Sequence, residues 1–134
     1  MIMKKRLRQL ALGGLSLALG LALAPGLARG EKAPAVVGDW EGTLDAGMQG
    51  KLRVVLHVTQ TKDGALAATL DSPDQNATDI PVTVITYQEP ALHFESEPIK
   101  GIYDGNMNKE NSEIAGEWKQ NGATLALVFK HVKQ

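Results

Sequence analysis

From residue 36 onward apolar and polar residues alternate with period two, and no stretch repeats at helical spacing. This pattern constrains the fold more than any other feature, because successive side chains of a strand point to opposite faces. Eight strands are expected. Residues 39–44 put Trp40, Gly42 and Leu44 on one face, and residues 51–59 put Leu52, Val54, Leu56 and Val58 there. A third strand spans 65–70, after the turn signal Lys62-Asp63-Gly64. Residues 80–87 set Ile80, Val82 and Val84 against Thr83, Ile85 and Tyr87. Residues 91–97 turn Leu92 and Phe94 inward, and 102–107 turn Tyr103, Gly105 and Met107 inward. Residues 113–119 and 124–131 do the same with Ile114, Gly116 and Trp118, and with Leu125, Leu127 and Phe129. Connections such as Gln88-Glu89-Pro90 and Gln120-Asn121-Gly122 are short, so neighbouring strands pair in sequence. The expected fold is all-β: a small antiparallel up-and-down barrel of about eight strands, lipocalin-like. Closure removes exposed edges. An eight-stranded interior is filled by side chains or holds one small ligand.

The first part of the chain has a different character. Lys4, Lys5, Arg6 and Arg8 precede an apolar run from Leu10 to Leu23, and Gly26-Leu27-Ala28 supplies small residues at a cleavage position. This is the pattern of a secretory signal peptide. The expected organisation is a signal peptide over 1–28, a lead-in over 29–35 and the barrel domain over 36–132. An exported, periplasmic or secreted monomer follows, with no stable membrane anchor once the leader is removed. The sequence has no cysteine, so the domain has no disulfide and must hold on its core alone. Cleavage after Ala28 removes four of the 14 Lys and Arg and none of the 15 Asp and Glu, leaving a net charge of −5. Nucleic acid wants a basic face, so it is not an expected partner.

Two resemblances follow from the motifs. Gly38-Asp39-Trp40 resembles the G-x-W signature that opens lipocalin-like barrels. The wider order is Trp40, Gly42 and Leu44, then Leu52–Val58, Leu70–Gln75 and Ile80–Val82, then Leu92, Phe94, Tyr103 and Gly105. It ends on Ile114, Gly116, Trp118, Gln120, Gly122, Leu125 and Leu127. This order resembles a small β-domain of exported bacterial proteins, known mainly as the segment before an α/β-hydrolase domain and also found alone. The resemblance implies an accessory role, including docking onto a separate envelope α/β-hydrolase. The sequence contains no G-x-S-x-G nucleophile elbow, so hydrolase chemistry is not expected of it.

Three sets of residues could carry a site. Trp40, Phe94, Tyr103 and Trp118 share the inward phase and either fill the core or line a pocket for a small apolar ligand. The polar run Asp71-Ser72-Pro73-Asp74-Gln75-Asn76 fails calcium-loop spacing, because Pro73 takes a ligand position and no Gly follows. It reads as a turn built from residues that bond their own backbone. Asp71, Ser72, Asp74 and Gln75 are therefore candidates for a mouth or docking loop. A weak hydrolase based on Ser72 would need a base such as His57 or His93 brought to it by folding. His57, His93 and His131 all fall on the outward phase, where solvated side chains are expected rather than a metal site. Neither a catalytic residue nor a cofactor is assigned. The sequence thus predicts a non-catalytic binding or accessory module.

Overall fold

The computed structural model describes residues 33–133. The expected signal peptide, 1–28, lies outside them. The strands are β1 (Gly38–Asp45), β2 (Lys51–Gln60), β3 (Leu66–Ser72), β4 (Ala77–Pro81), β5 (Val84–Gln88), β6 (Ala91–Ser96), β7 (Gly101–Met107), β8 (Glu113–Gln120) and β9 (Ala123–His131). Two short 3-10 turns, Gly47–Gln49 and Pro73–Gln75, sit in the β1–β2 and β3–β4 connections. All pairings are antiparallel, in the order β4-β3-β2-β1-β9-β8-β7-β6-β5. This is an up-and-down barrel, as the short connections require. The β8–β9 hairpin shows the local cause well. Asn121 and Gly122 both have positive φ, at 53° and 80°, and Gln120 pairs with Ala123 across them. Asn-Gly supplies the two left-handed residues that a two-residue hairpin turn needs.

The inward phases read from the sequence are present in β1, β2 and β6 to β9, where the core residues are Trp40, Leu44, Val54, Leu56, Val58, Leu92, Phe94, Tyr103, Met107, Ile114, Trp118, Leu127 and Phe129. The first and last strands meet: β1 and β9 pair Trp40 with His131 and Glu41 with Lys130, and Val132 N donates to Asp39 O at 2.9 Å. The lead-in belongs to the fold from Pro34 onward. Val37 N donates to Pro34 O, which turns Val36 into full burial, and Trp40 Nε1 donates to Val36 O at 2.9 Å. Val36 thereby plugs one end of the barrel.

The strand expected over 80–87 is instead divided into β4 and β5, which makes nine strands rather than eight. Pro81 has no N–H to give to a ladder. Directly after it, Val82 N donates to Ala68 O on the β3 side, whereas Thr83 N donates to Glu95 O on the β6 side. One bent segment thus bonds to both edges of the curled sheet. The change of partner also reverses the side-chain phase. Ile80 and Val82 pack on the core, and then Ile85 and Tyr87 do. Val84, which simple alternation places inward with Ile80 and Val82, is 42% exposed.

Candidate functional site

In an up-and-down barrel, alternate connections share an end. The β1–β2, β3–β4, β6–β7 and β8–β9 connections lie together at the end opposite the Val36 plug. There the interior is hollow, with a cavity of about 800 Å³. Its walls are cross-strand pairs of inward residues. Leu44 faces Leu52 across β1 and β2, Leu70 faces Ile80 across β3 and β4, and Trp118 faces Leu125 across β8 and β9. Ala46, Gly47, Val54, Ala77, Ile99 and Ala123 complete the apolar lining, and Asp45, Gln49, Asp71, Ser72, Gln75, Gln120 and Asn121 are its polar members.

Trp118 separates this cavity from the packed half. Its ring lies 6.2 Å from that of Phe94 on one side, and it lines the cavity on the other. Gly101 makes room for it, since a Cβ there would overlap the indole. The indole Nε1 donates to Gln120 Oε1 at 3.0 Å, and Gln120 Nε2 donates to Ile99 O at 2.6 Å. The rotamer of Trp118 is thus tied to the loop after β6. Trp40, Phe94 and Tyr103 are fully buried and lie outside the cavity lining. Phe94 stacks on Tyr103 at 5.2 Å, and Tyr103 meets Phe129 edge-on at 5.1 Å. Burial raises the Tyr103 phenol well above its usual range, and its hydroxyl donates to Leu127 O at 2.9 Å and to Ile114 O at 3.2 Å. Of the four aromatic candidates, the fold brings only Trp118 to the cavity.

The polar loop lies at the same end, and its side chains mostly secure the loop itself. Asp71 accepts from Asp79 N at 2.9 Å and holds His57 Nε2 at 2.8 Å. The backbone N–H of Asp79, and then His57, keep the Asp71 carboxyl below its usual value. Asp74 accepts from Arg53 N at 2.8 Å and from its guanidinium at 3.2 Å, fastening the Pro73–Gln75 turn to β2. Ser72 donates to Gln75 Oε1 at 2.6 Å rather than facing a histidine. Asp71, Ser72 and Gln75 line the cavity, and Asp74 lies outside the lining.

His57 and His93 have a more defined setting than solvated side chains. The nitrogens of His57 meet Asp39 and Asp71, both at 2.8 Å, so one imidazole ties β1, β2 and β3 together. His93 sits likewise between Asp104 at 2.6 Å and Glu95 at 2.7 Å. Asp71 and then Asp39 raise the affinity of His57 for a proton, and Glu95 and then Asp104 do so for His93. In each cluster the carboxylates occupy different ring nitrogens, so the donors do not converge on one point. Among the described residues no group of three His, Asp or Glu could hold a metal ion. His131 packs against the Trp40 ring at 4.9 Å.

Sequence reasoning missed Leu44, Leu52, Leu70, Ile80 and Leu125 as cavity walls. The signal was present: each is an inward residue close to a connection on one end of the meander. No family model and no curated protein sequence matches the chain. Among solved structures, a de novo designed fluorescence-activating β-barrel is similar at 14% identity, with a TM-score of 0.39 over 75% of this chain and 96% of that one.

Proposed function

We propose that this chain is a binding module that holds one small, mainly apolar molecule in the hollow end of its barrel, and that it acts outside the cytoplasm. The cavity carries the reading. Its volume of about 800 Å³ falls in the range of small-molecule sites, roughly 300–1,000 Å³. Its walls are aliphatic and aromatic, with a few polar groups at the rim, which is the usual division between affinity and orientation. The basic start and apolar run of the leader support the export half of the proposal.

The two tryptophans make a test simple. Trp118 lines the cavity and Trp40 lies at the plugged end under Val36. A neutral apolar fluorophore such as N-phenyl-1-naphthylamine should bind saturably, brighten, and quench tryptophan emission. Trp118→Phe should bind the probe and lose much of the quench, with Trp40 supplying what remains. Leu125→Trp should narrow the cavity and weaken binding. An absence of saturable binding would defeat the proposal, as would a quench undiminished in Trp118→Phe.

A further inference from the structure

We infer that the ligand of this cavity carries no negative charge and offers a hydrogen-bond acceptor, as an ester or alcohol does, and that the site rejects free carboxylates. This deepens the binding reading and rests on it.

The argument starts from charge. Among the described residues, none that lines the cavity is cationic, and two, Asp45 and Asp71, are acidic. Lys51 stands opposite Asp45 in the β1–β2 register, but it makes no ion pair with it among the described residues and takes no part in the lining. Arg53 is committed to Asp74, and His57 to Asp39 and Asp71. A carboxylate entering this end would shed water, find no cation, and approach two like charges. An unpaired charge is the group that burial penalises most.

Hydrogen bonding supplies the other half. Gln120 uses both ends of its amide within the fold, accepting from Trp118 and donating to Ile99. Gln75 uses only its oxygen, which accepts from Ser72, and its –NH2 has no partner among the described residues. The rim thus presents a neutral donor beside an apolar chamber. A carbonyl, ether or hydroxyl oxygen fits that donor without bringing a charge.

The test is displacement of N-phenyl-1-naphthylamine at pH 8 by three ligands with the same chain: methyl decanoate, decanol and decanoate. The ester and alcohol should compete at least about tenfold better than the carboxylate, which costs far more to bury. Gln75→Leu should weaken the ester and alcohol, relative to the probe measured on the same variant, by roughly 2–10-fold, the value of one neutral hydrogen bond. Gln75→Lys should selectively strengthen decanoate. Equal competition by decanoate and its ester would overturn the inference while the binding reading stood, and so would an ester unaffected by Gln75→Leu. If the probe itself does not bind, the binding reading and this inference fall together.

Discussion

Gly105→Ala should be one of the most damaging single-methyl additions in the domain, and its cost should depend on Tyr103. Residues 103 and 105 share the inward face of β7, and the Tyr103 ring lies back over Gly105. A Cβ on residue 105 would sit 2.6 Å from Tyr103 Oη, 2.8 Å from Cε2 and 2.9 Å from Cζ. Ordinary contact is about 3.5–4.0 Å, so the ring must move by roughly 1 Å. That movement strains a packed core, at about 1–3 kcal/mol. It also takes the hydroxyl away from Leu127 O and Ile114 O, which adds about 1 kcal/mol. The expected loss is therefore about 2–4 kcal/mol. Tyr103→Phe removes the hydroxyl alone and should cost about 1–2 kcal/mol, because the carbonyls stay buried. In a Tyr103→Leu background the atoms that the new methyl would strike are gone, so the same Gly105→Ala change should cost less than about 1 kcal/mol. Urea denaturation followed by tryptophan emission measures all four corners of that cycle. Equal costs in both backgrounds, within about 0.5 kcal/mol, would refute the assignment of the clash to the tyrosine ring.

Gly116→Ala should be worse still and should have no rescuing partner, because its Cβ would overlap backbone, the carbonyl oxygen of Asp104 and the Cα of Gly105; a far-ultraviolet melt should show loss of cooperative unfolding or a large fall in midpoint. Met48, fully exposed in the β1–β2 loop, should tolerate Met48→Ser within about 0.5 kcal/mol of wild type. Stability should also fall as pH rises through the range of the two bridged imidazoles. The folded state raises the proton affinity of His57 and His93, so it binds more protons than the unfolded chain. Their contribution is complete below an unfolded value of about 6.5 and is lost as pH rises through the raised folded values. Asp71 and Asp74 are lowered, so theirs is present above about 3.9 and is lost as pH falls through the folded values. Urea midpoints should therefore peak between about pH 4.5 and 6.5, and His57→Gln with His93→Gln should flatten the alkaline limb.

Alternation made the faces legible, but it carries no information about height along the barrel axis. Trp40, Tyr103 and Trp118 all read as inward, and all are buried. Trp40 and Trp118 are separated by register and by which end each connection occupies, whereas Tyr103 is paired with Trp118 and is separated from it by its ring lying back over Gly105. Trp40 is the third residue of a strand that leaves the plugged end, and Trp118 is the third from the end of a strand that reaches the hollow one. The division at Val82-Thr83 was hidden for another reason. From Ile80 to Ile85 every residue except Pro81 is β-branched, so Thr83 alone gives polar contrast, too little to mark a change of phase. Pro81 was its one signal, since a proline in a paired strand argues for an edge or a break. The histidine bridges divide the same way. Glu95 is two residues from His93 and so on its face, which the sequence could show. Asp39 and Asp104 reach their histidines only because register places them opposite.

These features share one cause. A disulfide-free domain of this size has little surplus stability, so it cannot be hollow throughout. The packed half holds large side chains, among them Val36, Trp40, Phe94, Tyr103, Ile114, Leu127 and Phe129, all fully buried. The other end is walled by single aliphatic pairs and by small residues such as Ala77 and Ala123, and polar bonds tie it down instead. Asp74 fastens one loop to β2, Asp71 holds the middle of β4 and joins it to His57, and Gln120 holds the loop after β6. The run Asp71-Ser72-Pro73-Asp74-Gln75-Asn76 thus supplies polar bonds that hold the loops of the hollow end. Hydrogen bonds to charged groups, which are among the stronger ones, keep the mouth in shape without filling it.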